Sequence, residues 1–382
     1  MPVADARESY QVISRRYRPQ VFRDVIGQQA VVRQLHNEIE ENRVGQGYLF
    51  CGPRGTGKTS MARIFAKALN CASGPTNDPC GKCDHCLEIA AGTHLDVIEV
   101  DAATYTKVDS TRELLEGIAR SPFKARHKVY IIDEVHMLSN HSFNALLKSL
   151  EEPPPNVVFV LATTNPEKIP ETVVSRCRRC TFERIQTADI IRSLDGILAK
   201  EGITIPEDEK QGVLQAIALA SDGGLRDAQV FLDQLISVAG GTLTLDVARS
   251  LLGVVEADLF VRLFTALVER DCQACLELVR DLVERGRDLP RFVKMFLSFL
   301  RDLMLLKVGG SADLLKVTDG RSPDVQEILH RATLPFILNA IQQFLDLEER
   351  LKGAAPARFL VEFTLIKLTA IDPRLVLDGS AS

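Results

Sequence analysis

The sequence predicts an α/β fold: a doubly wound, mostly parallel sheet domain, followed by two helical segments. Three observations carry this. The run Gly52-Pro53-Arg54-Gly55-Thr56-Gly57-Lys58-Thr59 lies between an apolar strand over 48–51 and a helix over 60–69, the setting a phosphate-binding loop requires. A second run over 129–132 is wholly apolar, ends in Asp133-Glu134, and suits a strand buried inside a parallel sheet. After Thr187 strand patterns nearly vanish and helical periodicity takes over.

Taken in order, residues 1–8 form a loose extension and 28–43 an amphipathic helix. In the loop, glycines let the backbone curl so that consecutive N–H groups face a pyrophosphate, and the helix start adds partial positive charge. The phosphate-binding set runs from Gly52 through Thr59 to Ser60. Lys58, expected as an exposed loop lysine, reaches the β- and γ-phosphates, and the Thr59 hydroxyl ligates Mg²⁺. A strand over 96–100 and a helix near 111–119 precede the Asp133-Glu134 strand. Its carboxylates emerge at the C-terminal sheet edge, where open α/β sheets bind ligands. Asp133 is placed to hold Mg²⁺ through water and Glu134 to polarise the attacking water. A helix over 142–150, a stop at Pro153-Pro154-Pro155 and a strand over 157–162 complete the pattern, which alternating strands and helices make a parallel sheet.

Composition limits the function classes. The chain has 382 residues, enough for two or three cores, with 46% hydrophobic and 25% charged residues. No apolar run reaches the ~18 residues needed to cross a bilayer and no signal peptide is visible, so a cytoplasmic locale is expected, with no membrane partner. A net charge of −5, no tryptophan and 6% aromatics argue against base-stacking platforms, so any DNA contact should be to the backbone.

Nine cysteines in such a chain point to metal or free thiols rather than disulfides. Cys71, Cys80, Cys83 and Cys86 cluster with Gly74, Pro75, Pro79 and Gly81 between them, a spacing that suits a tetrahedral, structural zinc site. His85 is the rival ligand but adjoins Cys86 and should point elsewhere. Cys177 and Cys180 lack a partner pair, Cys272 and Cys275 fit helix packing, and Cys51 should be buried before the loop.

Domain boundaries follow from these shifts: a phosphate-loop domain over 1–183 with the cysteine module at about 71–86, a helical lid over 184–253, and an all-α assembly domain over 254–382. The lid is broken at Ile203-Thr204-Ile205-Pro206 and Asp222-Gly223-Gly224. In the last segment Phe260, Leu263, Phe264 and Leu267 mark one helix face, with further helices over 291–306, 336–351 and 358–370.

From about residue 9 to 373 the chain resembles the gamma/tau subunits of the bacterial DNA polymerase III clamp loader, which are AAA+ ATPases. Besides the loop and Asp133-Glu134, the resemblance rests on Arg16-Tyr17-Arg18-Pro19, Val25-Ile26-Gly27-Gln28, the cysteine insert, Leu161-Ala162-Thr163-Thr164, Ser175-Arg176-Cys177 and Gly224-Leu225-Arg226-Asp227. It implies ATP, Mg²⁺ and Zn²⁺ as cofactors and a fold of AAA+ domain, lid and collar. Tyr17, Arg18, Val25 and Ile26 would pack around adenine. Thr164, with Thr163 beside it, would sense the γ-phosphate or the attacking water, and Arg226 would be the second sensor. Arg176 would act in trans at a neighbouring subunit's ATP. The plainer readings are a helix-surface role for Arg226 and, for Arg176, a surface ion pair with Glu171 or Glu183.

The implied partners are delta and delta-prime subunits, further copies of the chain in a pentameric ring, the sliding clamp (beta) and primed DNA. In the segment 101–109, which resembles one facing template, Tyr105 stands where a basic residue can occur, leaving Lys107 as the clearest cation. The sequence is expected to be a gamma-like core without the polymerase and helicase contacts specific to tau. It carries no polymerase active site. The alternatives are another AAA+ remodeller, such as a Holliday-junction branch-migration motor, and a structural loader subunit that does not hydrolyse ATP.

Overall fold

The computed structural model describes residues 11–104, 121–239, 243–252, 257–310, 315, 323–353 and 356–371. The expected extension over 1–8, the helix near 111–119, and Tyr105 and Lys107 lie outside them. The chain divides into two compact units, Met1–Leu245 and Asp246–Ser382.

The first unit is built on five parallel strands: β1 (Gly47–Cys51), β2 (Val97–Asp101), β3 (Lys128–Asp133), β4 (Val157–Thr163) and β5 (Arg178–Thr181), in the order β2-β3-β4-β1-β5. β1, β3 and β4 are interior and nearly all their residues are buried, which is why they read as unbroken apolar runs. Strand alternation sends Tyr48 and Phe50 into one core and Leu49 and Cys51 into the other. The first core is covered by α2 (Gln29–Glu40) and α3 (Lys58–Asn70), through Val31, Leu35, Ile39, Met61 and Phe65. A short helix α1 (Ile13–Arg16) precedes them, and α4 (Asp84–Ala91) packs on α3.

Phe143, Leu146 and Leu150 of α5 (Asn140–Glu151) cover the second face. Ser139 caps this helix, its Oγ accepting from Ser142 N at 3.2 Å. A short helix α6 (Glu171–Val174) leads into β5. The strands and long helices match the expected elements within a few residues. The departures are α1, α4 and α6, which no sequence signal marked.

Three helices complete this unit: α7 (Thr187–Glu201), α8 (Glu207–Ala220) and α9 (Leu225–Ala239), packed on one another. They stop and start at the expected breaks, with Gly202 and Gly223 in left-handed conformation. The division after Leu245 falls at the start of helix α10 (Leu245–Leu252).

The described part of the second unit is helical: α11 (Ala257–Glu269), α12 (Cys272–Glu284), α13 (Leu289–Lys307), α14 (Pro323–Arg331), α15 (Leu334–Arg350) and α16 (Ala357–Thr369). Asp271, Asp288 and Thr333 cap α12, α13 and α15. Its core is a cluster of phenylalanines in which Phe260 lies 5.6–5.8 Å from Phe292, Phe296 and Phe299, and Phe296 lies 4.8 Å from Phe344. Cys275 is buried there, as packing predicts.

Candidate nucleotide-binding site

The loop between β1 and α3 is held from several sides. Gly52 is required because a Cβ there would lie 2.3 Å from Phe182 O. Thr56 Oγ1 donates to Pro53 O at 2.8 Å, closing the loop on itself. Buried Gln28 ties the loop to the chain after β5: its Nε2 donates to Thr56 O at 3.4 Å and Glu183 O at 2.9 Å, and its Oε1 accepts from Glu183 N at 3.1 Å.

Lys58 departs from the expectation of an exposed side chain. It is the first residue of α3 and 6% exposed, with Nζ donating to Gly52 O and Pro53 O at 2.7 Å each. Burial lowers its pKa below the usual lysine value, opposed by the charges of Glu134 and Asp133. The ammonium is thus held at the loop, ready for phosphate oxygens.

At the adjoining strand end, Thr59 Oγ1 donates to Asp133 Oδ2 at 2.6 Å, so the two residues read as Mg²⁺ ligands come together. Glu134 follows with φ 46°, a strained left-handed conformation for a residue with a Cβ. Its Oε2 accepts from Thr164 Oγ1 at 2.9 Å and Thr164 N at 3.3 Å. His136 Nδ1 lies 3.3 Å from the same oxygen and 3.0 Å from Thr163 Oγ1. His136 was not anticipated. It follows the acidic pair by two residues, but nothing in the local pattern marks it.

These groups open onto a cavity of about 320 Å³, within the range of small-molecule sites. It is lined by Arg54 through Ser60 with Asp133 and Glu134, and by the apolar side chains of Pro19, Val25, Ile26, Ile185 and Leu225. Arg18 and Arg226 also line it. Burial, then Arg63, Arg226 and Arg15, lower the Arg18 pKa against the pull of Glu99. The lining carries Arg18, Arg54, Lys58 and Arg226 against Asp101, Asp133 and Glu134, a small excess of positive charge that suits a polyanion.

The lid helix approaches the loop directly: Arg226 N donates to Gly55 O at 3.3 Å, and a Cβ on Gly55 would lie 3.1 Å from Gly224 Cα. Ile185, Ser14 and Gln229 line the cavity without having been named from sequence, and Leu225 and Asp101 without having been assigned to it. They come from four separate elements or loops, and only the fold brings them together.

Gly52, Pro53, Tyr17, Thr164 and Arg176, all expected at the site, are not among the residues lining the cavity. Tyr17 does not line the cavity; its hydroxyl donates to Glu201 Oε1 at 2.5 Å and so ties α1 to α7. Arg176 is outside the cavity too. Its guanidinium donates to Thr172 O at 2.7 Å and pairs with Glu151 at 2.8 Å, rather than with Glu171 or Glu183. Thr164 touches the site through Glu134 and is not among the lining residues.

The ligand atoms of Cys71, Cys80, Cys83 and Cys86 all lie within 4.8 Å of one another. A tetrahedral thiolate site with bonds of about 2.3 Å needs sulfur separations of about 3.8 Å, so the set fits a metal ion after small adjustment. Cys83 precedes the first residue of α4. The backbone N–H groups of Lys82 and Cys83 help bring the Cys80 thiol down to about 6, whereas burial raises Cys86. His85 turns away as expected, its Nδ1 lying 2.8 Å from His94 Nε2.

The sheet, the loop and the paired acids define a P-loop nucleotide-binding protein of the AAA+ class. The family described as "DNA polymerase III, delta subunit" matches residues 27–186, and "DNA polymerase III subunits gamma and tau domain III" matches residues 243–377. The chain is 37% identical over 362 residues to DNA polymerase III subunit gamma of Buchnera aphidicola subsp. Baizongia pistaciae, covering 94% of this chain and 97% of that protein. It is 39% identical over 373 residues to subunit tau of Salmonella typhimurium, covering 97% of this chain and 57% of that one. With subunit tau of Bacillus subtilis the figures are 43% over 299 residues, 78% and 52%. The chain therefore belongs to the gamma/tau family of DNA polymerase III subunits. It spans a little over half the length of these tau relatives. A Thermotoga maritima RuvB Holliday junction branch migration motor superposes with a TM-score of 0.46 at 18% identity, over 66% of this chain and 80% of that one, too loosely to bear on function. Among the described residues no helix is long and apolar enough to cross a membrane.

Proposed function

We propose that this chain is an ATP-hydrolysing motor subunit of a DNA polymerase III clamp loader, which opens the sliding clamp and places it on primed DNA. The observation that carries this reading is the convergence of Lys58, Thr59, Asp133 and Glu134 on a cavity whose wall includes the lid residue Arg226. Lys58 neutralises β- and γ-phosphate charge, and the loop N–H groups hold the phosphates. Glu134, steadied by Thr164, takes the proton of the attacking water at Oε2. Thr59 and Asp133 would hold Mg²⁺, which would supply neutralisation of phosphate charge. Arg18, Val25 and Ile26 flank the base.

Arg226, on a helix that touches Gly55, transmits nucleotide state to the angle of the lid over 184–253. Residues 254–382 serve as the collar that assembles copies of the chain with delta and delta-prime subunits in a pentamer. Arg176 reaches a neighbour's ATP. Its support is a partly exposed side chain that does not line its own cavity. The cysteine cluster holds one structural zinc.

The test is ATP turnover by the chain assembled with its partner subunits, with and without clamp and primed DNA. DNA- and clamp-stimulated turnover is expected, and its absence would favour a purely structural subunit. Mixed assemblies with Arg176→Ala in one subunit and Lys58→Ala in its neighbour, in both orders, test action in trans. Equal loss of active sites in the two orders would remove Arg176 from the mechanism.

A further inference from the structure

Gln229 is 6% exposed, yet it lines the cavity, and among the described residues its side-chain amide makes no hydrogen bond. Its polar atoms are not among the fully enclosed unpartnered ones, so the amide reaches the cavity, where water or a ligand completes it. Its place on α9 indicates the part of a nucleotide it meets. Leu225 and Arg226 lie at the end of α9 that touches the phosphate loop. Gln229 follows them by four and three residues, on the same helix face and about 5 Å farther along the axis. There α1 packs against α9, with Ile13 N donating to Asp233 Oδ1 at 3.4 Å, and brings Ser14 into the cavity wall. Gln229 is therefore a polar group one helical turn beyond the contact with the phosphate loop, in a cavity wall shared with Val25 and Ile26, the apolar residues read as flanking the base.

We propose that Gln229 is a base-reading residue: its side-chain oxygen accepts a hydrogen bond from the exocyclic N6 amino group of adenine. An amide offers an acceptor for this amino group and a donor for the ring nitrogen beside it, the pairing by which glutamine recognises adenine elsewhere. The apolar wall supplies contact area that any purine can use, whereas the amide supplies selection for a 6-amino purine. This inference rests on the nucleotide reading above and adds a specificity residue to it.

The test compares, on the full chain, the affinities of ATP and purine riboside 5′-triphosphate, which lacks only the 6-amino group. The wild type is expected to prefer ATP by about tenfold, the effect of one good base contact. Gln229→Leu removes the acceptor in a helix-compatible, apolar form and should bring the two affinities together. Its affinity for ATP should fall more than its affinity for purine riboside 5′-triphosphate, which loses only the ring-nitrogen contact; an unchanged thermal melting curve reports that the cavity is intact. Gln229→Glu keeps an acceptor oxygen and should preserve the preference for ATP, even if both affinities fall through charge repulsion. A wild-type chain that binds the two equally, or a Gln229→Leu chain that keeps the wild-type ratio, overturns the assignment. If neither triphosphate binds the wild type, the nucleotide site itself is wrong and the base contact falls with it.

Discussion

In the first unit the buried polar side chains Gln28, Thr56, Lys58, Lys67, Asn70 and Asp96 hold loops in place, whereas the described part of the second unit buries few, among them Asp302, Thr364 and Thr369. The second unit instead packs phenylalanines from α11, α13 and α15 against one another. Buried polar groups are costly unless satisfied and directional when they are, so they fix loop geometry. Aromatic packing is strong but tolerant of chemistry. The first unit is thus built to position atoms, and the second to hold helices together. That is the division expected of a catalytic module and an assembly module on one chain.

The largest test of this contrast is metal removal. Chelation, or Cys83→Ser, should destabilise the cysteine module by on the order of 10 kcal/mol if all four sulfurs hold zinc. Elemental analysis should find about one metal per chain; a metal-free preparation of equal thermal stability would contradict it. Next comes Phe296→Ala, expected to cost about 3–5 kcal/mol in the second unit. Nucleotide affinity in the first unit should be unchanged, and a matching loss of affinity would break the division of labour.

Glu134→Gln should lower ATP turnover by about 10²- to 10³-fold while nucleotide binding persists. Binding and turnover lost in proportion would return Glu134 to a positional role. The smallest effect is expected at Asp96, whose carboxylate accepts from Phe123 N, Lys124 N and Ala125 N at 2.7–2.9 Å. Burial raises its pKa, but these three donors outweigh it and the net shift is downward. A depressed pKa contributes stability that is present above the ordinary carboxylate value near 4 and lost as pH falls through the folded value. Asp96→Ala should therefore cost about 1–3 kcal/mol at neutral pH and flatten the acid limb of the stability profile. An unchanged acid limb would show that another group governs it.

The phosphate loop, the Asp133-Glu134 strand, the cysteine cluster and the long helices were legible because each is encoded locally. Glycine spacing sets the loop, an apolar run marks an interior strand, and heptad-like periodicity marks a helix. Lys58 shows the limit of that reading. Its chemistry could be named from the motif, but its burial arises from two loop carbonyls that turn onto the ammonium. Arg176 is similar, since its pairing with Glu151 spans from β5's approach to the end of α5.

The sequence by itself determined which residues form the glycine-rich loop, where the sheet ends and helices begin, and which four cysteines can share a metal, because those features depend on neighbours within about thirty residues. The tertiary structure alone decided what lines the cavity away from the glycine-rich loop's own residues. Tyr17 turns to Glu201, while Ser14, Ile185 and Gln229 take their places in the wall. Those residues are far apart in the chain, and a side chain's environment there depends on how α1 and α9 pack, which no local pattern records.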